Sequence, residues 1–344
     1  LVWAVGAFWL LVLLGWAVLH AFILPRIDEQ RQWLETKASK ALARQVHIGA
    51  LHVQGNWLVP WLEATDVTLR DAQDRVVLQL PRVVASISPW SLLQGSLQQL
   101  LIDQPVLDVR RDAQGQWWIA GMPVHQDDDS SISDWFFSQP EFVIQGGQVQ
   151  WRDEQRYGST GPVLQLQDVR VLMRNHWHWH DLQIDATPPQ EFGQRLSLRG
   201  QFSQTPLRRH ADWQDWSGQA YLDLPWVDLA NLRQWVRMDK NFTLDQGRGR
   251  LRLWADVHKG LPTGVWADAA LDTVKLRLGA DLAPLGLQHV QGIVGAQWQD
   301  DGFELISQNL RFDTDEGEHW PGGDVRLNLR GDNARAGALQ ADRL

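Results

Sequence analysis

The stretch EFVIQGGQVQWRD, residues 141–153, shows most clearly the alternation of apolar and polar side chains that decides the fold class. Gly146-Gly147 separates two such runs, and a glycine pair in that position is typical of a two-residue β-hairpin turn. The hairpin would place four apolar side chains on one face, in the cross-strand pairs Ile144 with Val149 and Phe142 with Trp151. The stretch therefore predicts an antiparallel hairpin with one apolar and one polar face.

The same period of two recurs along the chain after Val46 and predicts a mainly β protein with a few short helices. A change of parity near Asp168 predicts a β-bulge. Strands with one apolar side form antiparallel sheets that keep one face in water, so we expect an elongated, twisted antiparallel β-sheet groove. The residues predicted to line it are Leu107, Val109, Phe142, Ile144, Val149, Trp151, Leu164, Leu166, Val169, Val171, Leu182, Ile184, Leu196, Leu198, Leu222, Leu224, Leu251, Leu253, Leu276, Leu278, Val325, Leu327 and Leu329.

The apolar face of such a sheet has to be covered. The sequence offers only short helical segments for this purpose, at 89–95 and at 225–236, where Leu229, Leu232 and Val236 are predicted to point inward. Two alternatives follow. Either a second sheet closes over the face, or the face is left for a ligand that is itself apolar.

Residues 1–24, LVWAVGAFWLLVLLGWAVLHAFIL, contain no Asp, Glu, Lys or Arg and precede Pro25 and Arg26. A helix of this length spans about 36 Å, enough for the hydrocarbon core of a bilayer. The run is longer than the apolar region of a signal peptide and lacks a clean cleavage site, so it predicts an uncleaved transmembrane anchor. The helical pattern that follows fits either an interfacial helix or a plain connector packed on the sheet.

By prediction, the chain divides into five segments. They are a transmembrane anchor (1–24), an amphipathic connector helix (25–45), a first β module (46–122), a polar linker (123–133) and further β modules (134–344). The linker carries an acidic run at 127–129, which fits a solvated loop better than a calcium site.

Composition excludes several classes of function. The 344 residues include no Cys, which rules out disulfides, thiolate metal sites and cysteine catalysis. The net charge is −9, with Arg and Lys scattered among acidic residues, whereas a protein that follows a nucleic-acid backbone needs a basic stripe. We therefore expect no nucleic-acid partner.

One cluster could carry metal chemistry. His176, His178 and His180 alternate in NHWHWH, and three imidazoles can bind zinc, which would suit a metal-dependent hydrolase. The segment falls where a hairpin tip is expected, however, and has no carboxylate beside it. The chain also contains no G-x-S-x-G or H-E-x-x-H motif. The sequence thus predicts no enzyme, no metal and no cofactor.

A set of packing motifs carries a family resemblance. They are I-G-x-L at 48–51, L-R-D at 69–71, W-S-L-L-x-G at 90–95, I-D-x-P-x-L-x-V-R-R-D at 102–112 and G-x-W-x-I-A-G at 115–121. In these motifs the chain resembles the amino-terminal region of the AsmA-like family of Gram-negative bacteria, in particular its YhdP branch. The resemblance covers nearly the whole chain, but its motifs are not catalytic signatures.

The resemblance implies a protein anchored by a single span in the inner membrane, with its bulk in the periplasm. It also implies a repeating β-groove rod, similar to eukaryotic bridge-like lipid-transfer proteins, and a role in moving phospholipids toward the outer membrane. Family members are much longer, so we expect this chain to be an amino-terminal part. The implied partners are phospholipids, the inner membrane and an outer-membrane or periplasmic protein reached by a part beyond this chain.

Two functions remain open from the sequence. The first is a conduit in which the apolar face shelters acyl chains and passes phospholipids between the two membranes. The second is a membrane-anchored structural or assembly factor for the outer membrane, with a closed β-sandwich and no conduit. The two differ in whether the apolar face is accessible to solvent when it holds no lipid.

Overall fold

The computed structural model describes residues 2–18, 21, 30–42, 44–55, 60–70, 74, 76–89, 91, 96–119, 122–124, 139–206, 212–233, 235, 243–277, 283–299, 302–330 and 336–341. These residues form two compact units, which divide between Trp177 and His178. The fold is mainly β, as predicted.

The first helix, α1, runs from Val2 to Val18 and lies within the apolar run at the start of the chain. Among the residues that the structure describes, no helix combines the length and the apolarity needed to cross a membrane. The predicted end of the anchor at Pro25 lies outside the described residues.

The second helix, α2 (Arg31–Leu42), packs against the start of the sheet along one side. Glu35 accepts a hydrogen bond from the backbone N–H of Ile48 (2.7 Å), and Arg31 donates to the carbonyl of Gly49 (2.6 Å). The opposite side presents Trp33, which is 55% exposed, together with Lys37 above its ring. The helix is therefore docked on the sheet and keeps an amphipathic outer side.

Unit 1 contains ten strands in the described part of the chain: β1 (Gln45–His47), β2 (Ala50–Gly55), β3 (Pro60–Arg70), β4 (Val76–Ser86), β5 (Gln99–Asp103), β6 (Val106–Arg111), β7 (Trp117–Ile119), β8 (Met122–Val124), β9 (Glu141–Asp153) and β10 (Val163–His176). A short helix, α3 (Glu154–Tyr157), follows β9. β1 and β2 pair with β3, and the order continues through β4 to β5 and β6, then to β9 and β10.

The predicted hairpin at Gly146-Gly147 is wrong. Residues 141–153 form the single continuous strand β9, which pairs with β10 on one side and with β5 and β6 on the other. The pairings with β5 and β6 are parallel, so the prediction of a purely antiparallel sheet is also wrong for this unit. The glycine pair was misread because a strand irregularity and a tight turn require the same backbone freedom.

Gly146 belongs to a transverse series of irregularities, which we call the bulge row. It consists of Asp66 in β3, Gln104 between β5 and β6, Gly146 in β9 and Asp168 in β10, with φ values of 52°, 51°, 60° and 45°. These residues are neighbours across the sheet, because the strands on either side of each irregularity stay paired. The predicted bulge near Asp168 is thereby confirmed.

The bulge row keeps the apolar side chains of β9 on one face. In a regular strand Ile144 and Val149 would point to opposite faces, since they are an odd number of positions apart. A Cβ atom on Gly147 would lie 3.1 Å from the Ile144 side chain, so these two residues share a face. Val149, two positions later, points the same way.

Unit 2 contains an antiparallel meander: β11 (Trp179–Thr187), β12 (Leu196–Ser203), β13 (Ser217–Asp228), β14 (Thr243–His258), β15 (Leu261–Arg277), β16 (Leu285–Gln299), β17 (Gly302–Thr314), β18 (His319–Trp320), β19 (Val325–Arg330) and β20 (Ala336–Ala341). Each strand from β11 to β17 pairs with the next, β17 pairs with both β18 and β19, and β19 pairs with β20. The predicted antiparallel arrangement is confirmed here.

The helix predicted at 225–236 is much shorter in the structure. Residues up to Asp228 belong to β13, and helix α4 covers only Leu229–Leu232. Asp228 caps it by accepting hydrogen bonds from the backbone N–H groups of Ala230 and Asn231. Leu229 is buried in the cluster of Val227, Leu271, Val274 and Leu287, and Leu232 packs against that cluster. Val236 lies outside the described residues.

Paired cysteines can test the course of β9, because the chain has no cysteine of its own. Gln150 lies directly opposite Gln165 of β10, so the pair Gln150→Cys with Gln165→Cys should form a disulfide on mild oxidation. Mass spectrometry of unreduced peptides would detect it.

The control pair is Val143→Cys with Gln150→Cys, which a hairpin at Gly146-Gly147 would bring together. In the continuous strand these two positions are about 23 Å apart and should remain reduced. A disulfide in the control pair and none in the first pair would contradict the continuous strand.

Candidate functional site

The meander of unit 2 has one apolar side, which we call the unit 2 apolar face. One row crosses strands β11 to β16, and each of its members pairs with the next: Ile184, Leu198, Leu222, Leu253, Ala267 and Val294. Side chains directly opposite one another share a face and touch. The row is therefore a continuous apolar band that runs across the strands.

A parallel row with smaller side chains runs beside it. Its members are Leu182, Gly200, Ala220, Ala255, Val265, Ala296, Leu305 and Leu327. A Cβ atom on Gly200 would lie 2.4 Å from the ring of Phe202, so that ring covers the glycine. Four of its members are Gly or Ala, so this row carries smaller side chains than the leucine row beside it.

The two ends of the unit 2 apolar face are covered, and the middle is not buried. At one end Trp216 stacks on His180 with ring centroids 4.3 Å apart, and at the other end α4 buries Leu229 in its cluster. Leu198, Leu222 and Leu253, between these ends, are only half-buried. Part of the apolar surface in the middle of the face therefore stays exposed to solvent.

The opposite face of unit 2 carries polar side chains, which form hydrogen bonds and ion pairs with one another. Asp185 accepts hydrogen bonds from Ser197 (2.7 Å), Gln183 (2.8 Å) and Arg199 (3.0 Å). Burial alone would raise the pKa of Asp185, but these donors and the charge of Arg199 outweigh it and lower the pKa to about 2. Arg252 with Asp223 (3.4 Å) continues this charged surface.

Unit 1 has an apolar face of the same kind, with rows that cross β4, the β5–β6 segment, β9 and β10. The paired residues are Val83, Ile102, Ile144 and Val171 on one side of the bulge row, and Leu78, Leu107, Val149 and Leu166 on the other. The opposite face carries Arg82 between Glu63 and Asp103, at 2.7 Å from each carboxylate. The hydrogen bond from Arg82 lowers the pKa of Glu63.

The structure places most of the predicted lining residues on these two faces, but in different surroundings. Leu224, Leu251 and Leu276 pack against the buried cluster beneath α4 rather than on the open middle. Leu278 and the side chain of Leu329 lie outside the described residues. Val325 and Leu327 extend the meander on β19, where they pair with Ser307 and Leu305 of β17.

Sequence reasoning missed several residues of the rows. In unit 1 these are Leu78, Val83 and Ile102, which lie in strands predicted from the sequence but were not predicted to line the groove. In unit 2 they are Val265, Ala267, Val294, Ala296 and Leu305. Alanine and glycine replace leucine in β15 and β16, which weakens the apolar alternation there. The cross-strand register was the signal that could have found them.

The three histidines do not form a metal site. His180 is fully buried and stacked on Trp216, whereas His176 is exposed at the end of β10. Trp177, which lies between them in the sequence, has a positive φ of 56°. Within the described ranges, no group of three or more His, Cys, Asp or Glu residues could hold a metal ion.

The pairing of Asp185 generates a stability test. Its folded pKa of about 2 lies below the ordinary value of 3.8, so ionised Asp185 stabilises the fold above that value and the gain is lost as the pH falls through 2. Asp185→Asn should therefore cost about 2 kcal/mol of unfolding free energy at pH 7, measured by urea unfolding.

The difference between wild type and Asp185→Asn should shrink as the pH falls from 4 to 2. Asp181→Asn is the matched control, since Asp181 is an exposed aspartate on the same strand and face. Equal losses for both variants, or a gap that does not change with pH, would contradict the role assigned to Asp185.

Comparison with known proteins agrees with the packing motifs found in the sequence. No curated protein matches the chain. The family model described as YhdP protein matches residues 1–344, the whole of the sequence. This chain therefore belongs to the YhdP protein family.

Proposed function

We propose that this chain is part of an inner-membrane-anchored periplasmic protein whose apolar faces shelter acyl chains and conduct phospholipids between the inner and outer membranes. The single observation that carries the proposal is the leucine row of unit 2. It crosses six strands without a charged residue, and its central members are half-buried rather than enclosed. Membership of the YhdP family supports the same direction.

The energetics of such a face suit transport. Moving one CH₂ group from water onto an apolar surface is favourable by about 0.8 kcal/mol, so the free energy of a lipid tail is lower on the sheet than in water. Successive strands offer nearly equivalent positions, and a tail can move from one to the next without crossing a large barrier. The headgroup can remain in water during this movement, and passive sliding requires no cofactor and no enzymatic step.

Localisation in the proposal rests on the start of the chain. Residues 1–24 contain no Asp, Glu, Lys or Arg, and the exposed side of α2 carries Trp33 and Lys37. Tryptophan and lysine are favoured where a protein meets the headgroup region of a bilayer. We propose that these segments hold unit 1 next to the inner membrane.

The second candidate function is a structural or assembly factor with a closed face. The observation in its favour is the cluster beneath α4, where Val227, Leu271, Val274 and Leu287 form an ordinary buried core on the same side of the meander. This cluster occupies one end only. The half-buried middle of the unit 2 apolar face favours the conduit.

Photo-crosslinking in cells tests the proposal. A photoreactive amino acid at Leu166 or Leu198, on the apolar faces, should form phospholipid adducts that mass spectrometry detects. The exposed polar-face residues Gln165 and Arg199 are the matched controls and should form few or none. Adducts at all four positions, or at none of them in a folded and anchored protein, would count against a lipid-filled channel.

A charge on the leucine row should interrupt the channel. Leu253→Glu places a carboxylate in the band, where an ionised group in contact with acyl chains costs several kcal/mol. Phospholipid adducts at Leu198 should then fall about tenfold or more, as quantified against an internal peptide standard.

The control for this substitution is Gln201→Glu, which adds the same charge on the polar face at an exposed position. It should leave adduct formation at Leu198 unchanged. If the two variants reduce adducts equally, net charge rather than the apolar band would explain the loss.

A further inference from the structure

The far end of the unit 1 apolar face carries an arginine. Strands β6 and β9 end together there, at Arg111 and Asp153, which are directly paired. Strand β7 begins beside them, and Arg111 also pairs with Trp117. These residues form the last row of the sheet beyond Val109 and Trp151, which we call the rim.

Arg111 points to the apolar side of the sheet. Trp117 lies directly opposite it, and residues directly opposite in neighbouring strands share a face. The guanidinium carbon of Arg111 lies 5.9 Å from the centre of the Trp117 ring, and that ring lies 4.6 Å from the ring of Trp151. Trp151 pairs with Val109, so the two tryptophans connect the rim to the apolar rows.

The carboxylates next to Arg111 are engaged elsewhere. Asp153 accepts a hydrogen bond from the backbone N–H of Arg156 and caps α3. Asp112 accepts hydrogen bonds from the indole N–H of Trp118 and the backbone N–H of Gln116, both at 2.8 Å. Neither aspartate forms an ion pair with the guanidinium.

Arg111 differs in this from the arginine beside it. Arg110 points to the polar face, where its guanidinium lies 3.6 Å from Glu154. Within the described part of the chain, Arg111 has no carboxylate partner, and its Nε is buried without a hydrogen-bond acceptor. A guanidinium without a carboxylate partner can offer its terminal N–H donors to an anionic ligand.

We propose that Arg111 and Trp117 form a headgroup site, in which the guanidinium binds the phosphate of a glycerophospholipid whose tail lies along Leu107 and Val149. The inference rests on the conduit function proposed above and assigns a place on the sheet where a lipid is held. Arginine suits the role, because its planar fork can donate two parallel hydrogen bonds to a phosphate.

The length of strand β6 matches the length of a lipid tail. From Pro105, next to the bulge row, to Arg111 the strand extends over about 20 Å. A lipid tail reaches about half of a 30 Å hydrocarbon core, or roughly 15 Å. A tail whose headgroup sits at the rim therefore fits on the apolar rows before the bulge row is reached.

The test measures lipid capture by the purified full chain in detergent. A photoreactive residue at Val149 reports on the rim segment, and one at Leu222 reports on unit 2. The probes are radiolabelled dioleoyl phosphatidylglycerol and dioleoylglycerol, which share their tails and differ in the phosphate headgroup. The variants are Arg111→Gln and the matched control Arg110→Gln.

The expected result is specific to one position and one lipid. Arg111→Gln should lower phosphatidylglycerol adducts at Val149 about tenfold, the size expected for a charged hydrogen bond. It should leave dioleoylglycerol adducts at Val149 and all adducts at Leu222 unchanged. Arg110→Gln should change none of them.

The outcomes that overturn the inference are separate from those that overturn the conduit. Unchanged phosphatidylglycerol capture at Val149 in Arg111→Gln, or an equal loss in Arg110→Gln, would remove the headgroup site while adducts at Leu222 still support the conduit. No adduct with either lipid at either position in the wild type would remove both. Equal loss of both lipids in Arg111→Gln would indicate a packing role for Arg111.

Discussion

The structure depends on one constraint: the apolar side chains of every strand must stay on the same face of the sheet. Regular alternation meets this requirement over short strands, but a strand as long as β9 needs a correction where its sequence shifts parity. The bulge row supplies that correction in several neighbouring strands at once, through residues with positive φ. Without it, half of the unit 1 apolar face would point into water and the polar face would receive the leucines.

The same constraint explains which parts of the fold could be predicted from the sequence. Strand existence and inward parity followed from period-two alternation, and the bulge at Asp168 followed from the change of parity between Leu166 and Val169. The pairing of strands did not follow, because β5 and β6 meet β9 across a long sequence separation and in parallel. Gly146-Gly147 fits a turn equally well on local grounds, and only the neighbouring strands decide against it. The lining of β15 and β16 was missed for another reason, since Ala267 and Ala296 are too small to stand out as an apolar run.

The two faces of each sheet differ in polarity. Ion pairs such as Arg82 with Glu63, and the hydrogen bonds around Asp185, satisfy the polar face internally and leave it compatible with water. The apolar faces are packed where α4 or Trp216 covers them and half-buried between those ends. A protein that needed only a core would cover such a face along its whole length. In this sheet, apolar side chains between the two covered ends stay half-buried instead.

The meander of unit 2 has a consequence for how the protein acquires its structure. From β11 to β17 each strand pairs with its immediate successor, so each new strand finds its partner already in place and only the loop between the two has to close. Strands can then add one after another from one edge of the sheet, in the order in which the chain is synthesised. Unit 1 cannot form in this order, because β5 and β6 pair with β9, which comes later in the sequence. Its completion is therefore the slower step, and the exposed edges of these waiting strands are where a chaperone would be needed.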